Sequence, residues 1–102
     1  MGCKVILTPQ SLADLETIVT YIANHDPERT RTFGYELIDR ALSIGIFPER
    51  GRVVPEINEA AVREILHGSA RIIYEVLSKM DTVFVLRFWH AARGEPEIES
   101  VS

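Results

Sequence analysis

Apolar residues recur at helical spacing through the first third of the chain and at strand spacing through the last. Leu12, Leu15, Ile18, Val19 and Ile22 are separated by threes and fours, which predicts one apolar stripe along a helix. Thr8 precedes Pro9, a side-chain N-cap followed by a proline at the first helical position, where the missing N–H costs nothing. The helix therefore starts there and should end near Asn24 and His25. Asp14 and Glu16 fall off the stripe. Asp26-Pro27 repeats the start signal, and a second helix is expected from Pro27 to about Ile46. Phe33, Leu37, Ile38, Ala41, Leu42 and Ile44 supply its buried face. So short a link predicts an antiparallel hairpin. Its wide apolar side needs a partner layer.

Lys4 to Leu7 reads as a short strand. The stretch from Phe47 to Pro55, with two prolines and a glycine, reads as a loop with a short edge strand at Val53-Val54. Ile57 to Ala60 fits no one pattern. Val62–Leu66 is a strand, His67-Gly68-Ser69 a turn with Gly68 serving a positive φ, and Ala70–Leu77 a second strand. On that strand Ile72, Tyr74 and Val76 share one face; Arg71, Ile73, Glu75 and Leu77 share the other. Ser78–Asp81 turns the chain again. Thr82–Trp89 is apolar on both faces apart from Arg87, the pattern of a central strand covered on both sides. The tail from Gly94 holds glycine, proline and acids, and is expected to add a short edge element or fray over 95–102. The order β-α-α-β-β-β predicts an α+β fold in two layers. An N-terminal strand and helical hairpin pack on an antiparallel sheet, in one domain spanning 1–102.

Composition narrows the function classes. No run reaches the ~20 apolar residues that cross a bilayer, and the N-terminus has no apolar stretch of signal-peptide length. One cysteine, Cys3, forms no internal disulfide, which fits a reducing cytoplasm. With 11 basic against 15 acidic residues the formal net charge is −4, so strong direct binding to nucleic acid is not expected. No His, Cys or Asp spacing resembles a metal site, and no cofactor is expected.

The segments VREILHGSARIIYEV and VLRFWHAARG, following two helices, resemble the RelE/ParE superfamily of toxins from bacterial type II toxin–antitoxin systems. The likeness covers nearly the whole chain. Its most specific pieces are Gly68-Ser69-Ala70 followed by Arg71-Ile72-Ile73-Tyr74, and the strand ending in Trp89-His90-Ala91-Ala92-Arg93. The resemblance implies a toxin neutralised by a small antitoxin, whose C-terminal segment wraps the hairpin and the sheet groove. It also implies one of two activities: cleavage of mRNA in the ribosomal A site by RelE-like members, or inhibition of DNA gyrase by ParE-like members. Arg71 matches the arginine that RelE-like nucleases place on the middle strand to hold the scissile phosphate. Arg93 stands where a second arginine follows the last strand, and His90 near a basic position of some members. Two departures point away from the nucleases. Val62 and Glu64 stand where RelE-like members carry lysines, and no tyrosine follows Arg93. The resemblance is therefore closer to the ParE branch. A ribosome-dependent mRNA endonuclease is the alternative, and an inactive relative kept as an antitoxin partner is a third.

The candidate catalytic residues are Arg71, His90 and Arg93. His90 is a candidate because an unperturbed imidazole titrates at about pH 6.5. His25 and His67 fall in predicted turns. For contact with target or antitoxin the candidates are Tyr21, Ile22, Phe33, Leu37, Arg71, Trp89 and Arg93. Each has a structural reading too. Arg71 could pair with Glu64 or Glu75, Trp89 could fill the core, and the helix residues could be core rather than groove. Arg93, past the last strand, is expected to be exposed.

Overall fold

The computed structural model describes residues 2–101. Its regular elements are β1 (Lys4–Leu7), α1 (Pro9–His25), α2 (Pro27–Ser43), β2 (Arg52–Val53), β3 (Val62–His67), β4 (Ala70–Leu77) and β5 (Thr82–His90). Both predicted caps form. The Thr8 hydroxyl accepts from Ser11 N–H at 3.2 Å, and the Asp26 carboxylate from Arg29 N–H at 3.2 Å. Asp26 also closes α1, its N–H donating to the Ile22 carbonyl at 2.6 Å. One residue thus ends one helix and begins the next, which forces the tight hairpin.

Helix α2 stops at Ser43 rather than Ile46. Ile44 and Gly45 turn back on Ala41 and Leu42 in short-range hydrogen bonds of 3.2 and 3.3 Å. Cys3 N–H then donates to the Gly45 carbonyl at 2.7 Å. A Cβ at position 45 would lie 2.5 Å from the Cys3 carbonyl oxygen, so the close approach requires glycine.

The strands form one sheet in the order β1-β5-β4-β3-β2. β1 lies parallel to β5, with Lys4 opposite Thr82 and Leu7 opposite Val85. The other three pairings are antiparallel. The sheet is therefore mixed, and the N-terminal strand belongs to it. The antiparallel sheet expected of the later strands forms, and the N-terminal strand, expected beside the hairpin, joins it in parallel at the remaining edge of β5. The hairpin between β3 and β4 turns through Gly68, at φ 59°, as the sequence predicts.

β1 is shorter than β5, so β5 beyond Val85 has no strand on that side. α1 settles there. Thr8 N–H and hydroxyl both donate to the Val85 carbonyl, at 3.2 and 2.8 Å. β5 also carries a bulge: Ile73 faces Arg87 while Tyr74 faces Val85, leaving Leu86 without an opposite residue. The alternation slips by one step. Val83, Val85 and Phe88 face the helices, whereas Phe84, Leu86 and Trp89 face the opposite side.

Two cores result. The larger, between helices and sheet, holds Ile18, Phe33, Leu37, Ala41, Ile72, Tyr74 and Phe88. Each Ile, Leu or Phe among them contributes about 1.5–3 kcal/mol when fully buried. The smaller holds Val54, Val62, Ile73, Leu86 and Trp89 on the outer face, with Ile57 and Ile98 against it. Irregular chain from the 54–61 segment and the tail covers this second core. Residues 95–101 add no strand and lie along the outer face. Leu12 and Leu42, predicted to be buried, are 50% and 52% exposed, because the stripe facing the sheet is rotated toward Ser11, Asp14 and Ile18. No described helix is long and apolar enough to cross a membrane.

Candidate functional site

The outer face of β3 and β4 carries a chain of charges. Arg71 Nε donates to Glu64 Oε1 at 2.5 Å, and its two terminal nitrogens donate to both Glu56 oxygens at 3.0 Å. Glu64 accepts from Arg52 as well, at 2.5 Å, with its own side chain fully buried. The Glu56 hydrogen bonds, set against the cost of burial and helped by Glu64, hold the Arg71 guanidinium above its ordinary pKa. Arg71 in turn lowers Glu56. Of the two partners the sequence suggests, Arg71 thus takes Glu64 and not Glu75. Glu75 instead accepts from Ser100 and Val101 in the tail.

A second cluster joins α1 to the end of β5. The Asp14 carboxylate, 2% exposed, accepts from Arg87 Nε and Nη2 at 2.6 and 2.7 Å, from Arg93 Nη1 at 3.1 Å and from Phe88 N–H at 3.2 Å. One carboxylate therefore accepts from the open edge of β5 at Phe88 and from two guanidiniums, leaving the cluster one positive charge in excess. The carboxylate's hydrogen bonds raise the Arg87 pKa against the opposing effect of burial. Both guanidiniums lie over the Trp89 ring, Arg87 at 4.6 Å and Arg93 at 4.0 Å from the centroid. Trp89 is 6% exposed and belongs to the outer core. Arg93 is exposed, as expected, while its Nη1 reaches Asp14 and its guanidinium lies on the Trp89 ring.

His90 ends β5. Its Nδ1 accepts from Ala92 N–H at 3.1 Å, capping the single turn Ala91–Arg93. A neutral ring bonded in that way carries its proton on Nε2, which then donates to Ser69 Oγ at 3.0 Å. His90 Nε2 is a donor in this arrangement and cannot take a proton from Ser69. Tyr21, 43% exposed, stacks on His25 at 4.3 Å and meets the His90 ring at 5.2 Å. A small cavity of about 130 Å³ opens beside them, lined by Thr17, Ile18, Tyr21, His90, Ala92 and Arg93.

The fold thus brings Tyr21, Trp89, His90 and Arg93 to one end of the molecule, and sets Arg71 opposite Trp89 in the sheet register. Phe33 and Leu37 are separated from them. Both sit in the main core, Leu37 with no exposure, so neither offers a free surface to a partner. Ile22 is half-buried against the same core. Asp14 and Glu56 are the residues that sequence reasoning missed. A signal existed for Asp14: a lone arginine in an apolar strand needs a carboxylate, and Asp14 sits three and four residues from Ser11 and Ile18 on the sheet-facing side. Glu56, in an irregular loop, gave none. Among the described residues no His, Cys, Asp and Glu cluster could hold a metal ion.

A helical hairpin laid across a five-stranded mixed sheet, with each candidate arginine already on a carboxylate, defines a two-layer α+β protein. It superposes on a chain of the chromosomal ParDE toxin–antitoxin system from P. aeruginosa with a TM-score of 0.72 and 15% identity, over 87% of this chain and 96% of that one. The toxin–antitoxin complex RelBE2 from Mycobacterium tuberculosis gives 0.64 and 19%, over 88% and 92%. An arginine-to-alanine double mutant of the E. coli toxin RelE in the free state gives 0.63 and 14%, over 92% and 88%. No relative is found among curated proteins. The family model of the ParE toxin of the type II toxin–antitoxin system parDE matches residues 5–94. This chain belongs to that toxin family.

Proposed function

We propose that this protein acts by binding rather than by cleavage. It arrests growth by engaging DNA gyrase in the cytoplasm, and a cognate antitoxin neutralises it in a hetero-oligomer. One observation carries the choice between the two activities of the fold: Arg71, Arg87 and Arg93 each face a carboxylate, Glu56 and Glu64 for the first and Asp14 for the others. A phosphate backbone would have to displace those carboxylates before any of the three could stabilise its charge. His90, held as a donor on Ser69, supplies no base there.

The antitoxin reading draws on the helical hairpin. Leu12, Tyr21, Tyr35 and Leu42 are 43–67% exposed on the hairpin, where burying apolar surface yields about 25 cal/mol per Å² before association costs. The neighbouring ParDE and RelBE2 systems are toxin–antitoxin pairs by description. Tyr21 and Ile22, with Arg93 at the same end, are the contacts proposed for a partner.

The test is induced expression without an antitoxin, followed by supercoiling with purified gyrase and mapping of transcripts. Growth arrest with inhibited supercoiling and intact transcripts is expected. Arrest with unaffected supercoiling overturns the gyrase target, and transcripts cut on the ribosome overturn the binding mode. Normal growth identifies an inactive relative.

A further inference from the structure

The end of the molecule away from His90 carries an apolar hollow that the proposed function does not use. β5 separates the two ends by its nine residues, about 30 Å. At its start the chain entering β1, the turn after α2 and the turn before β5 come together. Cys3 N–H donates to the Gly45 carbonyl at 2.7 Å, and Lys4 N–H to the Asp81 carbonyl at 2.9 Å. Beside them lies a cavity of about 600 Å³. Cys3 and Val76 form part of its lining and also pack on the main core. An apolar group seated there extends that core.

Apolar knobs stand next to the hollow. Ile46, Phe47 and Met80 are 63%, 65% and 60% exposed. Ile46 and Phe47 line the cavity, and Met80 lies in the turn between two other lining residues, Ser78 and Asp81. Large apolar side chains scattered singly over a surface are ordinary, whereas three gathered at one hollow mark an interaction face.

Charge indicates what covers it. Lys4, Arg50 and Lys79 stand here with Glu49 and Asp81, all exposed. Among the described residues none of these five side chains joins an ion pair, whereas Arg71, Arg87 and Arg93 are all taken. The patch is thus close to balanced, although the chain as a whole carries −4. A wholly acidic or wholly basic partner would set like charges against part of it. A copy of the same patch, inverted about a two-fold axis, offers a knob for each hollow and an opposite charge for each sign.

We propose that this end is an isologous interface between two copies of the chain, with Phe47 of each seated in the hollow of the other. The patch holds about a dozen residues, half of the roughly 20–30 per side of a standard interface. The dimer is therefore a weak one, with a dissociation constant of the order of 10–100 μM. Tyr21, His90 and Arg93 stay clear at its two far ends. The interface needs only the fold and stands whether or not the protein inhibits gyrase.

The experiment is sedimentation equilibrium of the full-length chain from about 5 to 500 μM, a range that brackets that constant. The mass is expected to climb from near 11.5 kDa toward twice that value. F47D sets like charges against the axis and is expected to weaken association about ten-fold or more. Y35D, at a comparably exposed site on α2, is expected to leave it unchanged. A wild type that remains monomeric at the top of the range overturns the proposal. So does association that F47D leaves intact, or that Y35D weakens as much. Should F47D not fold, the reaction of Cys3, the single cysteine, with a disulfide reagent decides on the wild type. Its rate constant must fall about three-fold across the same range as the hollow is covered, and a rate constant independent of concentration overturns the proposal. No readout involves growth, gyrase or an antitoxin, so failure here leaves the proposed function standing, and the reverse.

Discussion

Arg87 and Asp14, 73 positions apart, meet through two hydrogen bonds of 2.6 and 2.7 Å at the place where α1 covers the open edge of β5. Both side chains are nearly buried, at 8% and 3% exposure. Breaking such a pair leaves a buried charge without compensation, which costs about 3–5 kcal/mol. D14A also frees Phe88 N–H and Arg93. It should lower the urea midpoint by a corresponding amount with an unchanged m-value. D14L/R87M, which removes both charges, should recover much of the loss. Equal destabilisation of single and double variants would contradict the pairing.

Leu37 and Tyr21 separate folding from recognition. L37A empties a fully enclosed site in the main core and is expected to cost about 2–5 kcal/mol by denaturation. Y21A removes a ring that is nearly half exposed, and should change stability by less than about 0.5 kcal/mol. If the antitoxin docks at this end, Y21A weakens its binding about ten-fold or more by calorimetry, while folded L37A leaves affinity unchanged.

Glu36 gives a pH dependence of known sign. Hydrogen bonds from Arg29 and then His67, at 2.7 and 2.8 Å, lower its pKa from 4.5 to about 2. A depressed carboxylate contributes stability that is fully present above its unfolded value and is lost as pH falls through the folded one. Thermal melts of the wild type should therefore lose Tm between about pH 4.5 and 2 partly through this group. E36Q should flatten that part of the profile and leave the slope above it unaltered.

Tyr74 ties the main core to the loop before β2. Its hydroxyl donates to the Pro48 carbonyl at 2.8 Å and accepts from Gly51 N–H at 2.9 Å. Burial pushes the phenol above its ordinary pKa. Y74F strands both backbone groups and is expected to cost about 1–3 kcal/mol. G51A is expected to cost more, since a Cβ there would collide with the Tyr74 hydroxyl and lie 2.6 Å from the Glu64 carbonyl oxygen. Chemical denaturation of the two variants checks the order.

Local chemistry determined the elements of this protein. Thr8-Pro9 and Asp26-Pro27 fix the helix starts because capping and proline geometry act within one turn. Strand alternation around Gly68 fixes the β3–β4 hairpin for the same reason. The family likeness rests on those elements and on the two motifs after the helices. Tertiary structure alone decided the parallel place of β1 and the one-residue slip at Leu86, which sends Arg87 and Trp89 outward together. It also decided the partners of the charges. Arg71 on Glu56, Arg87 and Arg93 on Asp14, and the tail on Glu75 join residues between 15 and 79 positions apart. Periodicity reports which face a residue occupies along its own element. Which carboxylate meets which arginine depends on how elements are stacked, and that is set by burial summed over the whole chain.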